Sequence, residues 1–142
     1  MTKFLTLGPK HLAGKLIDVH THVGISTTSY IGGSYPYCQS AESLLCRMDA
    51  HGVDCAVTFP FGEALMYDVL QSLRRDRRVA SPTSSSGAPY SVENRLLCEE
   101  VYEKAPDASG RILPFVNVDP GRHVRRQLKD IEALAGDYPI YG

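Results

Sequence analysis

No stretch of the 142-residue sequence approaches the roughly 18 consecutive apolar residues of a membrane-spanning helix, so no membrane partner is expected. Net charge is also lacking: 15 Lys and Arg stand against 16 Asp and Glu, leaving −1. That balance supplies no field to hold nucleic acid or an anionic surface, so neither is an expected partner. The opening MTKFLTLGPKHLAG carries only a short, broken apolar stretch and makes a poor signal peptide. Cysteine is sparse, at Cys38, Cys46, Cys55 and Cys98, with no C-x-x-C pair. Three of the four lie in or beside apolar segments, which favours buried thiols over disulfides and a reducing, cytoplasmic compartment. Internal repeats and interdomain linkers are missing, and the only block of one charge is the arginines near 74 to 78. The expectation is therefore one domain over 1–142. With 43% apolar and 22% charged residues, the chain has a globular composition, which argues against disorder, collagen or coiled coil.

What is present is an alternation of strands and helices. Residues 16–22, LIDVHTH, read as a short strand, followed by a loop to Gln39 broken by Gly24, Gly32, Gly33 and Pro36. Ser40 is placed to cap a helix over 41–51, with Ala41, Leu44, Leu45 and Met48 as its stripe and Gly52 at its end. Residues 53–59, VDCAVTF, have the continuous apolar character of a strand buried on both faces. A helix is expected over 63–78, then a loop over 81–89. Ser91 is expected to cap a helix to about Lys104, with Leu96, Leu97 and Val101 inward. A third strand follows at 111–118, then Asp119 and Pro120 as N-cap and first residue of a helix lined by Val124, Leu128, Ile131 and Ala135 and ended by Gly136. Ile140 and Tyr141 open a fourth strand. This rhythm implies right-handed βαβ units and a parallel sheet.

The chemistry starts at His20 and His22. One residue apart on a strand, they project from one face. Two imidazoles at the carboxyl end of a parallel strand can converge on one cation, and neutral imidazole suits zinc, iron, nickel or copper. An apolar strand ending in Asp-x-His-x-His is hard to explain by packing.

At these residues the sequence resembles a known family. IDVHTHVG, followed by LLCRMDAHGVDCAVTFPF, is similar to the opening of the amidohydrolase superfamily, and within it to the amidohydrolase-related group that includes the aminocarboxymuconate semialdehyde decarboxylases. The segment ENRLLCEEVYEKAPDASGRILPFVNVDP resembles that group's passage into its third barrel strand. The resemblance spans roughly 16–142 and is thinnest over 62–90. It implies a TIM-type (β/α)8 barrel with one or two divalent metals at the carboxyl ends of its strands. His20 and His22 match the first-strand metal ligands. The implied cofactor is a divalent metal, zinc foremost, with manganese, iron or nickel as alternatives. The metal lowers the pKa of a bound water towards about 7, so that it attacks a C–N or C–O bonded centre. In the decarboxylase branch, metal and water assist proton transfer and carboxylate loss, a lyase reaction. The family's remaining ligands come from later strands.

A full barrel takes about 250 residues. The expectation is therefore an amino-terminal portion of about three and a half βα units, with the continuation missing after 142 and no activity by itself. Expected partners are a small-molecule substrate once the barrel is completed, and either a second copy or a complement of the missing half. Two other classes are weighed: a metal-dependent phosphoesterase or nuclease with an H-x-H strand, and a non-catalytic half-barrel that binds a partner. Asp18 is read either as an acceptor that orients an imidazole or as a carboxylate that anchors the backbone. Thr58 is placed near the barrel mouth, with a structural hydroxyl favoured. Asn117 is a candidate to reach substrate, and Asp119 a candidate for the same or for the N-cap. His11, His51 and His123 are read as solvated or capping. Tyr30, Tyr35, Tyr37 and Arg74, Arg75, Arg77 and Arg78 fall in loops where such barrels carry their active-site cover, with a solvated face the simpler reading of the arginines. Cys38 and Cys98 carry no catalytic signature.

Overall fold

The computed structural model describes residues 4–26, 38–61, 74–75 and 88–142. The tyrosines of 27–37, Arg77, Arg78 and all of the expected 63–78 helix except Arg74 and Arg75 lie outside them. A short helix α1 (Pro9–Leu12) leads into β1 (Ile17–Ile25). Strand β2 (Cys38–Gln39), helix α2 (Ala41–His51) and β3 (Cys55–Phe61) follow. Helix α3 (Ser91–Glu99) runs into a π turn (Glu100–Lys104) and a 3-10 turn (Pro106–Gly110), before β4 (Ile112–Pro114) and α4 (Val124–Asp137).

The sheet order is β2-β1-β3-β4. The strands expected over 16–22, 53–59 and 111–118 are found as β1, β3 and β4, adjacent and parallel in chain order. One difference in extent bears on the site. β1 does not stop at His22 but continues to Ile25, because Gly24 and Ile25 pair antiparallel with Gln39 and Cys38. The histidines therefore sit at mid-strand rather than at its end. Gly24 permits this passage: it has φ +122°, and a Cβ there would lie 3.0 Å from the Phe61 carbonyl oxygen.

Helices cover one face of the sheet. The Ser40 hydroxyl accepts from the Ser43 N–H and opens α2, and Gly52 at φ +67° ends it. Leu44 and Met48 of α2, Leu97 and Cys98 of α3, and Val101 and Tyr102 of the π turn pack there with Ala56, Ile112 and Val23. Burial pushes the Cys98 thiol up to about 12. All four cysteines are free, but only Cys55 and Cys98 are buried. On the opposite face a smaller cluster joins Leu7, Cys55 and Leu113 to Ile17, Val57 and Tyr141.

The helices depart from expectation where long-range bonds reset their phase. Ser91 is the first residue of α3, and Tyr90, in the left-handed region, stands at the cap position. Leu96 points outward, and Glu93, Asn94, Leu97 and Cys98 are inward instead. In α4 the inward residues are Gln127 and Leu134, while Val124 and Leu128 are exposed and Gly136 lies within the helix. The cause is Gln127, whose amide accepts from the Asp119 N–H at 2.7 Å and donates to the carbonyls of Asp119 and Arg122. Asp119 is therefore not the N-cap; that position is His123. The Asp119 carboxylate instead accepts from the Gly121 N–H and from Arg122 Nε. Residues 140–142 are not a regular strand, although the Tyr141 N–H donates to Pro114 and the Val116 N–H to Gly142. Among the described residues no helix is long and apolar enough to cross a membrane.

Candidate metal centre

In a parallel pair, partnered residues face the same side of the sheet. Asp18 pairs with Ala56, and Thr21 with Thr58, so β1 spends three residues where β3 spends two. The extra residue is a bulge at Val19–His20. It reverses the phase of the strand. Asp18 and Thr21 belong to the side that the helices cover, whereas His22, partnered with Phe59, belongs to the other.

His20 and His22 come together on that second side. Their Nε2 atoms are 3.1 Å apart, and their rings meet edge to face with centroids 4.9 Å apart. Phenylalanines form the wall beside them: Phe61 lies 4.1 Å from His22 between centroids, Phe59 5.2 Å from His20, and Phe115 5.6 Å from Phe59. The His22 Nδ1 is buried, with the ring packed against Phe61 and the Phe59 backbone beside it. Burial, and secondly the neighbouring His20, hold the His22 pKa below 6.5. A cleft of about 440 Å³ opens beside the pair, bordered by Asp18, Arg47, His51 and Gln39.

The pair fits two positions of a transition-metal site. Two bonds of the 2.0–2.1 Å typical of zinc and imidazole, drawn to nitrogens 3.1 Å apart, enclose an angle of about 100°, near the tetrahedral value. Among the described residues no group of three His, Cys, Asp or Glu side chains gathers to hold a metal. A metal held by this pair would need its other ligands from water or from groups beyond these.

The other candidates lie elsewhere. Asp18 does not share the imidazole side, as strict alternation would have it; its Oδ1 accepts from the His20 backbone N–H at 3.0 Å. Its role is to anchor the backbone. Thr58 is fully buried, two residues from Ala56 on the helix side, away from the histidines, and its hydroxyl finds no partner. Asn117 is occupied in structure: its Nδ2 donates to the Pro60 carbonyl, and its backbone N–H and C=O are both taken by the Asn94 side chain. Sequence reading missed the phenylalanine wall and Gln39. Phe59 and Phe61 read simply as apolar strand residues; Gln39 gave no signal at all, since its contact depends on where the chain returns after 37. Its Nε2 donates to the His22 carbonyl at 2.7 Å.

No protein-family model, curated protein or solved structure matches this chain, so the likeness to amidohydrolases rests on the residues quoted above.

Proposed function

We propose that this chain carries the first metal-binding strand of an amidohydrolase-type enzyme. In that reading His20 and His22 hold a divalent metal, zinc foremost, beside the sheet. The metal supplies an activated water for hydrolysis of a C–N or C–O bond, or assists decarboxylation. The observation that carries the reading is the meeting of the two Nε2 atoms at 3.1 Å on one face of a parallel strand. The lowered His22 pKa supports it, because a nitrogen that stays unprotonated at neutral pH is available to a cation. The phenylalanines beside the pair wall one side of the site. The remaining ligands come from later strands of the barrel that we propose this chain belongs to. Two imidazoles by themselves fill only half of a four-coordinate site and hold a metal weakly.

Titration with Co²⁺ or Zn²⁺ tests this directly. The wild-type chain should take up metal weakly, with dissociation constants at least about tenfold lower than those of the His20→Ala, His22→Ala double variant, since two ligands are lost. Equal uptake by the two proteins would make the histidines structural and end the metal reading.

A further inference from the structure

We infer that Asp18 and Gln39 are positioning residues that set the convergence of the two imidazoles; their importance for a metal rests on the reading above. The β1 bulge decides which groups share the imidazoles' side of the sheet. An unbroken strand would leave Asp18 on the same side as His20 and His22, and Thr21 and Val23 together on the other. The observed pairing instead keeps Asp18 on the helix side and fits one more residue before Thr21.

A bulge leaves backbone groups out of the ladder, and each needs a partner. Asp18 supplies one: its Oδ1 accepts from the N–H of His20, the residue inside the bulge, at 3.0 Å. The Thr21 hydroxyl donates to the Val57 carbonyl across the same irregularity at 2.9 Å. On the outer edge, β2 pairs only with Gly24 and Ile25, so His22 lies below that short ladder. Its carbonyl is taken by Gln39 Nε2 at 2.7 Å, from a side chain only 3% exposed. Each histidine thus has one backbone group held by a side chain, that of His20 by Asp18 of the same strand and that of His22 by Gln39 of β2. The two bonds fix where the Cα atoms of 20 and 22 stand, and so where the rings meet.

The test uses the whole chain and two readouts. In metal-free protein, NMR follows the exchange of the His20 backbone amide and the ring-to-ring NOE between His20 and His22. In parallel, Co²⁺ titration follows affinity and the visible spectrum. Asp18→Ala should speed exchange of the His20 amide about tenfold and abolish the NOE. It should also weaken Co²⁺ binding by roughly 10–100-fold, the usual cost of losing a group that orients a ligand. Asp18→Asn, whose amide oxygen accepts the same bond, should behave as wild type in every readout. Gln39→Met, which keeps volume and loses the donor, should weaken the NOE and Co²⁺ binding without slowing or speeding exchange in the core. Wild-type NOE and amide exchange in Asp18→Ala, or an Asp18→Asn as impaired as Asp18→Ala, overturns the inference. If Asp18→Ala does not fold, Gln39→Met decides: an unchanged NOE there overturns it. A wild type that takes up no Co²⁺ while the variants still lose the NOE leaves the positioning role standing and removes the metal reading.

Discussion

Single side chains in this protein do two kinds of work, and Glu93 shows what happens when one does neither. It is 4% exposed on α3, its Oε1 has no partner, and burial raises its pKa above the ordinary 4.5. For a carboxyl group raised on folding, native and unfolded states bind protons alike below the unfolded value. As pH climbs past 4.5 the unfolded chain ionises first, so stability is lost up to the native value and stays lost above it. Glu93→Gln should therefore raise the thermal midpoint at pH 7, recovering part of the roughly 1–3 kcal/mol that a buried unpaired group costs. At pH 4 the two proteins should melt together. A Glu93→Gln protein less stable than wild type at pH 7 would show that the carboxylate is paired. His22 illustrates the converse: burial of an imidazole lowers its pKa, because there the protonated form is the charged one.

Elements here are held by side chains that stand in for missing ladder bonds. Asn94, 3% exposed on α3, pairs both of its amide atoms with the backbone of Asn117, at 2.8 and 2.9 Å, as a neighbouring strand would. Asn94→Leu strips both partners from Asn117 and should cost about 2–4 kcal/mol in a urea melt, at two lost bonds with buried groups left unpaired. A shift below about 0.5 kcal/mol would mean that water replaces the amide. The same device explains which parts of the molecule were legible in the sequence. α2 was read to the residue, because Ser40, the Leu44–Met48 stripe and Gly52 are all local signals. The convergence of His20 and His22 was read for the same reason, since it needs only two residues of one strand. The side of Asp18 was not, because the bulge arises from pairing with β3, more than thirty residues away. Leu96 and Leu128 were assigned inward on periodicity alone, and the inward positions went instead to Asn94 and Gln127, whose polar bonds reach other elements.

At the scale of the molecule, the sheet is covered on one side and sparsely dressed on the other. Arg111 ties the starts of β3 and β4 to α2, through Asp49 and the carbonyls of Val53 and Asp54, and the Asp54 carboxylate holds the N–H of Leu16 ahead of β1. The lower half of β1 has β3 on one side and, among the described residues, no strand on the other; there Leu16 is 59% and Val19 72% exposed. Apolar side chains on an open edge promote association between chains. Sedimentation at micromolar concentrations should therefore show self-association that Val19→Lys reduces; a wild type that sediments as a monomer would remove this expectation. The one-residue offset in β1 has a wider consequence for which chains can replace one another. Deleting a single residue between Asp18 and Thr21 would exchange the two sides of everything upstream relative to everything downstream. Either Ile17 would leave the small cluster for the helix layer, or both imidazoles would be driven into that layer while Val23 turned out to water. Tolerance to insertion and deletion should thus be lowest here.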